Sequence, residues 1–267
     1  MLTTLSAIQA FNPPADTVYF FLTRQAARII ALNYWEFPLL GDIDIIAFDL
    51  DDTLWPCMPT INFAEKVLYQ WLEQNFPRIT NRHDPGDMID SRKQFMLQDE
   101  RFEIDLSLLR YEFLKQLAHE AGYDSKAVSK AGFEVFYEAR QQVSFYEDVL
   151  PCLGRLQKRY RLGAITNGNA NVNRVGLGYL IEHSVSASEL KVAKPDKFIF
   201  HHLVERFGVP ARRVLYVGDH PEIDVIGSQD AGLQAIWINR ENHAWPEHLP
   251  EPGYQISNLH ELELLLN

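Results

Sequence analysis

The chain has only two cysteines among its 267 residues, Cys57 and Cys152. Two cysteines supply neither a disulfide framework nor the spacing of a zinc site, which is typical of a protein in a reducing compartment. We therefore expect both thiols to be packing residues and the protein to be cytoplasmic.

Positive charge and long apolar runs are also scarce. The formal net charge is -11 and the pI is near 5.3, which argues against a nucleic-acid or anionic-membrane surface. Residues 18–35 are apolar, but Arg24 and Arg28 interrupt them, and no secretory pattern is present. We expect no nucleic-acid partner and no membrane partner. The role of residues 1–40, an N-terminal extension, and the oligomeric state stay open.

The remaining composition is that of an ordinary globular protein. Apolar residues make up 46% of the chain, and 14 Gly and 14 Pro lie in the usual range. A chain of this length suits one sizeable domain, or a domain that carries a smaller insertion.

The most informative stretch is a nearly continuous apolar run over residues 43–48 that ends in acids. Such a run predicts a buried parallel strand whose carboxyl end opens into a site. Asp49 and Asp51 are two residues apart, so their side chains face the same side of an extended strand. Two carboxylates this close require a cation or a shared proton, and nucleophilic phosphoryl transfer uses both. The alternative is an Asp-rich surface turn.

The next 85 residues have helical periodicity and no strand pattern. Apolar faces predict helices over 61–75, 104–121 and 124–143. This region is predicted to be an all-helical insertion at the carboxyl end of the first strand, and therefore to lie over the site.

From residue 145 onward helix and strand patterns alternate. Strands are predicted over 162–166, 183–187, 214–217 and 234–238, and helices over 146–160, 175–181, 195–207, 222–231 and 259–266. This alternation predicts a parallel sheet covered on both faces, with ligands bound beyond the carboxyl ends of its strands.

Polar residues follow two of these strand ends. Thr166, Asn167 and Gly168 offer a hydroxyl and backbone amides for phosphate oxygens, or else form a strand-to-helix turn capped by Thr166. Lys191 and Lys194 offer ammonium groups, of which Lys194 beside Pro195 is the better placed. The alternative for each is a solvated surface lysine.

Acidic residues also follow the predicted strand at 214–217. Asp219 follows the predicted strand at 214–217, and Asp224 follows five residues later. Hard oxygen ligands that converge with Asp49 suit Mg²⁺. Asp224 alone could be only a helix N-terminal charge. His220 is either a loop residue, which we favour, or a substrate contact.

These motifs, in their order and spacing, resemble the haloacid dehalogenase superfamily of phosphohydrolases. The resemblance covers residues 43 to about 240. It implies an α/β fold, a Rossmann-like doubly wound parallel sheet of order 5-4-1-2-3. It also implies a catalytic core at 41–57 and 148–267, and a helical cap of the family's first type at 58–147.

The resemblance also implies roles. Asp49 is the nucleophile that forms an aspartyl-phosphate, and Asp51 is the general acid and then the base. Thr166, Asn167 and Lys194 hold phosphoryl oxygens. Mg²⁺ is bound by the carboxylates of Asp49 and Asp219 and by the backbone carbonyl of Asp51, with Asp224 acting through water or by orienting the cluster.

Within the superfamily, the stretches 138–151, 164–170 and 176–178 look like a bacterial branch linked to FMN and 5-amino-6-(5-phosphoribitylamino)uracil. Arg110 and Arg140 are candidate substrate contacts. Trp55 either lines the entrance or packs at the cap hinge. Other open hypotheses are a phosphatase of another sugar phosphate, nucleotide or phosphoglycolate, a phosphomutase, a dehalogenase, and a non-catalytic binding protein. Asp51 argues against a dehalogenase, because a departing halide needs no proton.

Overall fold

The computed structural model describes residues 40–267 of the chain. The extension at residues 1–40 therefore falls, apart from Leu40, outside the described residues.

The sheet has six parallel strands in the order β3-β2-β1-β4-β5-β6. Read from the other edge, this is the predicted order 5-4-1-2-3 with one strand added beside β5. The added strand β6 has only two residues and no apolar run, so no sequence pattern marks it. The strands are β1 (Ile45–Phe48), β2 (Arg161–Thr166), β3 (His183–Ser186), β4 (Val214–Gly218), β5 (Gln234–Ile238) and β6 (Gln255–Ile256).

Strand β1 lies in the middle of the sheet. All four of its residues are buried, and Phe48 is in register with Ala164 of β2 and Val217 of β4. A central strand buried on both faces is nearly all apolar, which is why its sequence was so distinctive. Residues just past β1, β2 and β4 therefore meet at one edge.

Helices cover both faces of the sheet, as predicted. They are α1 (Cys57–Asn75), α2 (Pro77–Thr80), α3 (Pro85–Met96), α4 (Arg101–Ile104), α5 (Leu106–Glu120), α6 (Ser125–Arg140), α7 (Val149–Leu156), α8 (Ala187–Leu190), α9 (Lys197–Phe207), α10 (Gly227–Asp230) and α11 (Leu259–Leu265), with a 3-10 turn at Ala211–Arg213 and a π-helical turn at Pro221–Ile226. Helices α7 and α11 pack on one face and α9 packs on the other.

One predicted helix is wrong. Residues 175–181 form turns rather than a helix, although Val175 and Leu177 are buried in the core. Gly176 has a φ of 89°, in the left-handed region, and this breaks the helical path. An apolar spacing of three to four residues identified burial here but not conformation.

Between Cys57 and Arg140 the chain contains helices and turns, in agreement with the predicted helical insertion. The three expected helices are α1, α5 and α6. The 12-residue α3 and the four-residue α2 and α4, which lie between α1 and α5, were missed. These helices share a separate apolar core, which includes Leu68, Leu72, Phe113, Leu114, Val128 and Phe136. The predicted helix over 104–121 is divided at Asp105, whose carboxylate caps α5 by accepting the backbone N–H of Leu108 at 2.9 Å.

Within residues 40–267, the structure contains no helix long and apolar enough to cross a membrane.

Candidate active site

Lys194 is the centre of the polar cluster at the carboxyl edge of the sheet. Its Nζ lies 2.6 Å from Asp49 Oδ1 and 2.6 Å from Asp224 Oδ1. It also donates to the hydroxyl of Tyr216 at 3.0 Å. The side chain is only 2% exposed, so the interpretation of Lys194 as a solvated surface lysine is wrong. Lys191, in contrast, is exposed and pairs with Asp105 of the helical region.

The loop that carries Lys194 is fixed by Asn167. The side-chain oxygen of Asn167 accepts the backbone N–H of Lys194 at 2.8 Å, and its amide donates to the Lys194 carbonyl at 3.0 Å. The Asn167 side chain therefore joins the loop after β2 to the lysine loop. The backbone amide and the second N–H of the side-chain amide are not used in these two bonds and remain as donors for the predicted phosphate-binding role.

Asp224 is a buried partner of Lys194 and not merely a charge at a helix start. It lies in the π-helical turn, and its Oδ2 accepts the backbone N–H of His220 at 3.0 Å. Gly218 allows this approach, because a Cβ at residue 218 would lie 2.4 Å from the Asp224 carboxyl carbon. His220 Nδ1 accepts the N–H of Ile223, in agreement with the favoured interpretation as a loop residue.

Burial and mutual repulsion set the electrostatics of the acids. Burial, opposed by Lys194 and reinforced by Asp224 and Asp219, raises the pKa of Asp49. Burial and the Asp224 charge raise the pKa of Asp219 from 3.8 to about 7. For Lys194, burial lowers the pKa, but the carboxylates of Asp224 and Asp49 outweigh it and the net pKa is raised. Lys194 therefore stays charged.

The donor set fits a divalent cation. Carboxylate oxygens of Asp49, Asp219 and Asp224 all lie within 4.8 Å of one another. When these three acids are ionised, Lys194 leaves a net charge of -2, which a hard dication would neutralise. Thr53 holds Asp219 by donating from its hydroxyl to Oδ1 at 3.2 Å.

The side chain of Asp51 turns away from this acid cluster. Its Oδ1 accepts the indole N–H of Trp55 at 2.8 Å, and Arg140 Nη2 lies 2.6 Å from both of its oxygens. Asp52, with a left-handed φ of 59°, forms the turn between β1 and Trp55. Trp55 is fully buried, which supports the packing alternative over a position that lines an entrance.

The loop after β2 lies beside the same carboxylate. The Thr166 hydroxyl oxygen accepts the backbone N–H of Gly168 at 2.9 Å, but no helix begins in this loop, so the alternative of a strand-to-helix turn capped by Thr166 is wrong. The hydroxyl hydrogen of Thr166 is not used in that bond and can be donated to a phosphoryl oxygen. Thr166 can therefore shape this loop and still bind a phosphoryl oxygen.

A cavity of about 270 Å³ lies between the helical region and this loop. Asp51, Arg110, Arg140 and Gly168 line it, together with apolar side chains of α1, α3, α5 and α6. Arg110 is held in a salt bridge to Glu65 at 2.6 Å, and its guanidinium carbon lies 3.4 Å from the centre of the Phe136 ring. Both arginines proposed as substrate contacts thus border one cavity.

Arg140 is not fully paired. The side chain is buried and bonded to Asp51 through Nη2, but Nε and Nη1 have no hydrogen-bond partner. Leaving such donors unpaired is costly in a buried setting. Arg140 therefore has two nitrogens that can still hold a ligand.

Sequence reasoning missed three residues of the site. The hydroxyl of Tyr216 accepts from Lys194, and Trp237 donates from its indole to the backbone carbonyl of Asp219 at 2.6 Å. Thr53 is the third, as the donor to Asp219. The signal for Tyr216 was a lone hydroxyl within the buried run of β4.

Neither cysteine has the environment of a nucleophile. Burial, followed by the Asp51 charge, raises the pKa of Cys57 to about 12, so the thiol stays protonated at neutral pH. Cys152 is buried in α7 and its Sγ donates to Glu263 at 2.9 Å.

Comparisons with known proteins agree with this geometry. A family model described as haloacid dehalogenase-like hydrolase matches residues 43–232. The chain is 29% identical over 234 residues to the 5-amino-6-(5-phospho-D-ribitylamino)uracil phosphatase YigB of Escherichia coli (strain K12), covering 85% of this chain and 98% of that protein. It is 27% identical over 240 residues to the N-acylneuraminate-9-phosphatase of Rattus norvegicus, covering 85% and 95%.

A solved structure is also similar in sequence and in fold. The 2-haloacid dehalogenase from Pseudomonas syringae pv. Tomato DC3000 superimposes with a TM-score of 0.77 at 37% identity, covering 84% of this chain and 98% of that one. The relatives therefore carry the names of two reactions, ester hydrolysis and dehalogenation.

Proposed function

Since the chain belongs to the haloacid dehalogenase-like hydrolases, we propose that it is a Mg²⁺-dependent phosphatase that hydrolyses small phosphate esters through an aspartyl-phosphate. The observation that carries this proposal is the buried Lys194, bonded at 2.6 Å to both Asp49 and Asp224 at the edge where β1, β2 and β4 end. A buried ammonium beside a carboxylate nucleophile offsets the charge that would otherwise repel a phosphate dianion.

Each polar residue has a part in this reaction. Asp49 attacks phosphorus, while Lys194, the Thr166 hydroxyl and the Asn167 backbone amide hold the phosphoryl oxygens. Asp51 donates a proton to the leaving oxygen and later accepts one from the attacking water.

The carboxylates of Asp49 and Asp219 and the backbone carbonyl of Asp51 would hold the metal, while Asp224 orients Lys194. When bound, Mg²⁺ would supply positive charge to the transferring phosphoryl group. The net charge of -2 on the acid cluster supports this assignment.

The substrate that we propose first is FMN or a ribityl phosphate of the riboflavin pathway. The name of the E. coli relative supports a ribityl phosphate. The cavity of about 270 Å³ offers apolar walls for a ring, and the unpaired nitrogens of Arg140 and the guanidinium of Arg110 can bind hydroxyl and carbonyl oxygens. A phosphatase of another small metabolite, such as a sugar phosphate, nucleotide or phosphoglycolate, is the alternative.

Dehalogenation of a 2-haloacid is a second candidate, favoured by the name of the P. syringae relative. Asp49 would serve as nucleophile in both reactions. Asp51 discriminates them, because expulsion of an alkoxide requires a proton and expulsion of a halide does not.

The proposed partner is a small phosphate ester, with neither nucleic acid nor membrane involved, and the proposed location is the cytoplasm. The net charge of -11 supports the first part, since a general polyanion-binding surface is not expected of such a chain.

The test is phosphate release with Mg²⁺ on FMN, nucleotides, sugar phosphates and phosphoglycolate, with a parallel assay of halide release from 2-chloropropionate. The Asp49→Asn variant serves as the blank. Preference for FMN or a ribityl phosphate would support the substrate proposal. Halide release without phosphate release would overturn the proposal that the protein is a phosphatase.

A further inference from the structure

The carboxyl group of Asp51 is held from two sides by buried donors. Trp55 donates from its indole to Oδ1 at 2.8 Å, and Arg140 Nη2 lies 2.6 Å from both oxygens. Trp55 is fully buried and the Arg140 side chain is 1% exposed. Trp55 belongs to the turn after β1, and Arg140 is the last residue of α6.

The two oxygens of Asp51 have different surroundings. Oδ1 carries the indole bond. Oδ2 lies against the loop after β2, where a Cβ on Gly168 would be 2.6 Å from it. That loop holds the Thr166 hydroxyl, to which the proposed function assigns a phosphoryl oxygen. Oδ2 is therefore the Asp51 oxygen next to the proposed phosphoryl site.

We propose that Trp55 and Arg140 are positioning residues that give the two oxygens of Asp51 separate tasks, with Oδ1 anchored by the indole and Oδ2 presented to the bridging oxygen of the ester. This inference rests on the proposed phosphatase function. It gives Trp55 a role through Asp51, and it gives Arg140 such a role through Nη2 beside the substrate contact proposed for its other two nitrogens.

The proton balance follows from this arrangement. In the first half-reaction an Asp49 oxygen bonds to phosphorus, the bond from phosphorus to the alcohol oxygen breaks, and the proton on Oδ2 passes to that oxygen. In the second half-reaction water bonds to phosphorus, the bond to Asp49 breaks, and Oδ2 takes the water proton. Throughout, Oδ1 accepts from Trp55 and Arg140 and carries no proton, since neither an indole N–H nor a guanidinium N–H can accept one.

Arg140 makes this geometry depend on the helical region. Residue 140 is 89 positions from Asp51 along the chain, yet Nη2 contacts both carboxylate oxygens. After the first half-reaction, Arg140 stabilises the carboxylate that Asp51 has become, through a charge-assisted hydrogen bond. The carboxyl group is thus orientated only while α6 lies beside the loop after β2.

The test compares two esters in the full-length protein with Mg²⁺. FMN has an alkyl leaving group that needs a proton, whereas p-nitrophenyl phosphate has an aryl leaving group that scarcely needs one. Trp55→Phe keeps an aromatic ring beside Phe145 and removes the indole donor together with part of the buried ring volume, a packing loss that should lower both rates alike. We expect its kcat to fall about tenfold or more on FMN and less than about threefold on the aryl ester.

Arg140 is tested by Arg140→Gln, with Arg140→Lys as the conservative replacement. The glutamine variant should show the same selective loss on FMN, and the lysine variant should recover part of it because the positive charge returns. Trp71→Phe, in the apolar core of the helical region, and Arg155→Gln, whose partner Glu263 lies in α11, are the matched controls and should not change the ratio of the two rates.

A double-mutant cycle separates positioning from general damage. If Trp55 acts through Asp51, adding Trp55→Phe to Asp51→Asn costs no further activity on FMN. Equal losses on both esters, or a full additional loss in the double variant, would overturn the inference and leave the phosphatase intact. Wild-type protein that hydrolyses neither ester nor any other phosphate would instead overturn the proposed function, and this inference with it. Thermal melts of each variant identify any loss due to unfolding.

Discussion

The sheet edge and the cap cavity, defined by the residues that line the 270 Å³ space, have opposite charge imbalances. At the sheet edge three carboxylates, from Asp49, Asp219 and Asp224, share the single ammonium of Lys194. Of the described residues that line the cap cavity, one is an acid, Asp51, and four are cationic: Arg92, Lys93, Arg110 and Arg140. The acidic half suits a dication and a nucleophile, and the basic half suits an oxygen-rich ligand. A phosphate ester is favoured where the two halves meet, at the Asp51–Arg140 pair.

The largest effect is expected from removing the nucleophile. Asp49→Asn keeps an oxygen for Lys194 but cannot form the aspartyl-phosphate, so phosphate release should fall by about 10⁴-fold or more. Asp44→Asn, at the other end of the same strand region and paired with Arg213 near the surface, is the control and should retain activity. Substantial turnover by Asp49→Asn would contradict the proposed aspartyl-phosphate mechanism.

Removing Lys194 tests the acidic half of the site, at the sheet edge. Lys194→Ala leaves Asp49 and Asp224 buried without their partner, which costs about 3–5 kcal/mol in the free energy of unfolding. Activity on alkyl and aryl esters should fall alike, because the ammonium acts on the phosphoryl group and not on the leaving oxygen.

The control for Lys194 is Lys191→Ala. In its pair with Asp105 the ammonium is exposed although the carboxylate is buried, so we expect Lys191→Ala to cost about 1 kcal/mol in the free energy of unfolding. Urea unfolding measures both variants. If Lys194→Ala and Lys191→Ala lowered the free energy of unfolding equally, the buried pairs of Lys194 with Asp49 and Asp224 would not have the stabilising role assigned to them.

These two lysines illustrate what the sequence can specify. Asp49, Thr166, Lys194 and Asp219 were predictable because parallel strands place their carboxyl ends at one edge. Within one short loop, however, sequence could only favour Lys194 over Lys191, and burial decided between them. The sixth strand escaped prediction because two residues form no pattern.

The other features that the sequence did not predict depend on contacts between segments that are distant along the chain. For Trp55 the sequence left two alternatives open, an entrance or packing at the cap hinge. The side chain is buried against Phe145, a residue distant in sequence whose position no local pattern predicts. The pairing of Arg140 with Asp51 joins residues 89 positions apart, and no local periodicity encodes it. The bounds of the predicted helical cap, residues 58–147, stay a prediction.

A smaller effect is expected in the pH dependence of stability. The pKa of Asp219 is raised from 3.8 to about 7 by burial and then by Asp224. Between these values the folded protein keeps a proton that the unfolded chain has lost, so stability falls as pH rises through this window. In EDTA, Tm should therefore be lower at about pH 8 than at about pH 5.5.

Mg²⁺ should reverse most of that fall, because it stabilises the ionised acids of the folded protein. The increase in Tm on adding Mg²⁺ should thus be larger at about pH 8 than at about pH 5.5. Asp219→Asn should reduce both the pH dependence in EDTA and the response to Mg²⁺. If the increase in Tm on adding Mg²⁺ were unchanged in this variant, Asp219 would not be a ligand of the metal.

The smallest expected effect tests the point where the two halves meet. A Cβ at residue 168 would lie 2.6 Å from Asp51 Oδ2 and 3.2 Å from the Thr166 hydroxyl oxygen, so Gly168→Ala should displace the carboxyl group of Asp51. We expect kcat on FMN to fall by about tenfold, a fraction of the usual general-acid contribution, and kcat on p-nitrophenyl phosphate to fall less.

Gly154→Ala is the matched control, because a Cβ at residue 154 in α7 would meet nothing within 4 Å. It should stabilise the protein by about 0.5–1 kcal/mol and leave both rates unchanged. If Gly168→Ala lowered both rates equally, crowding of Thr166 and the phosphoryl site would explain the loss. A selective loss on FMN would instead show that the precise placement of Asp51 Oδ2, between the acidic sheet edge and the basic cavity, limits departure of the alcohol.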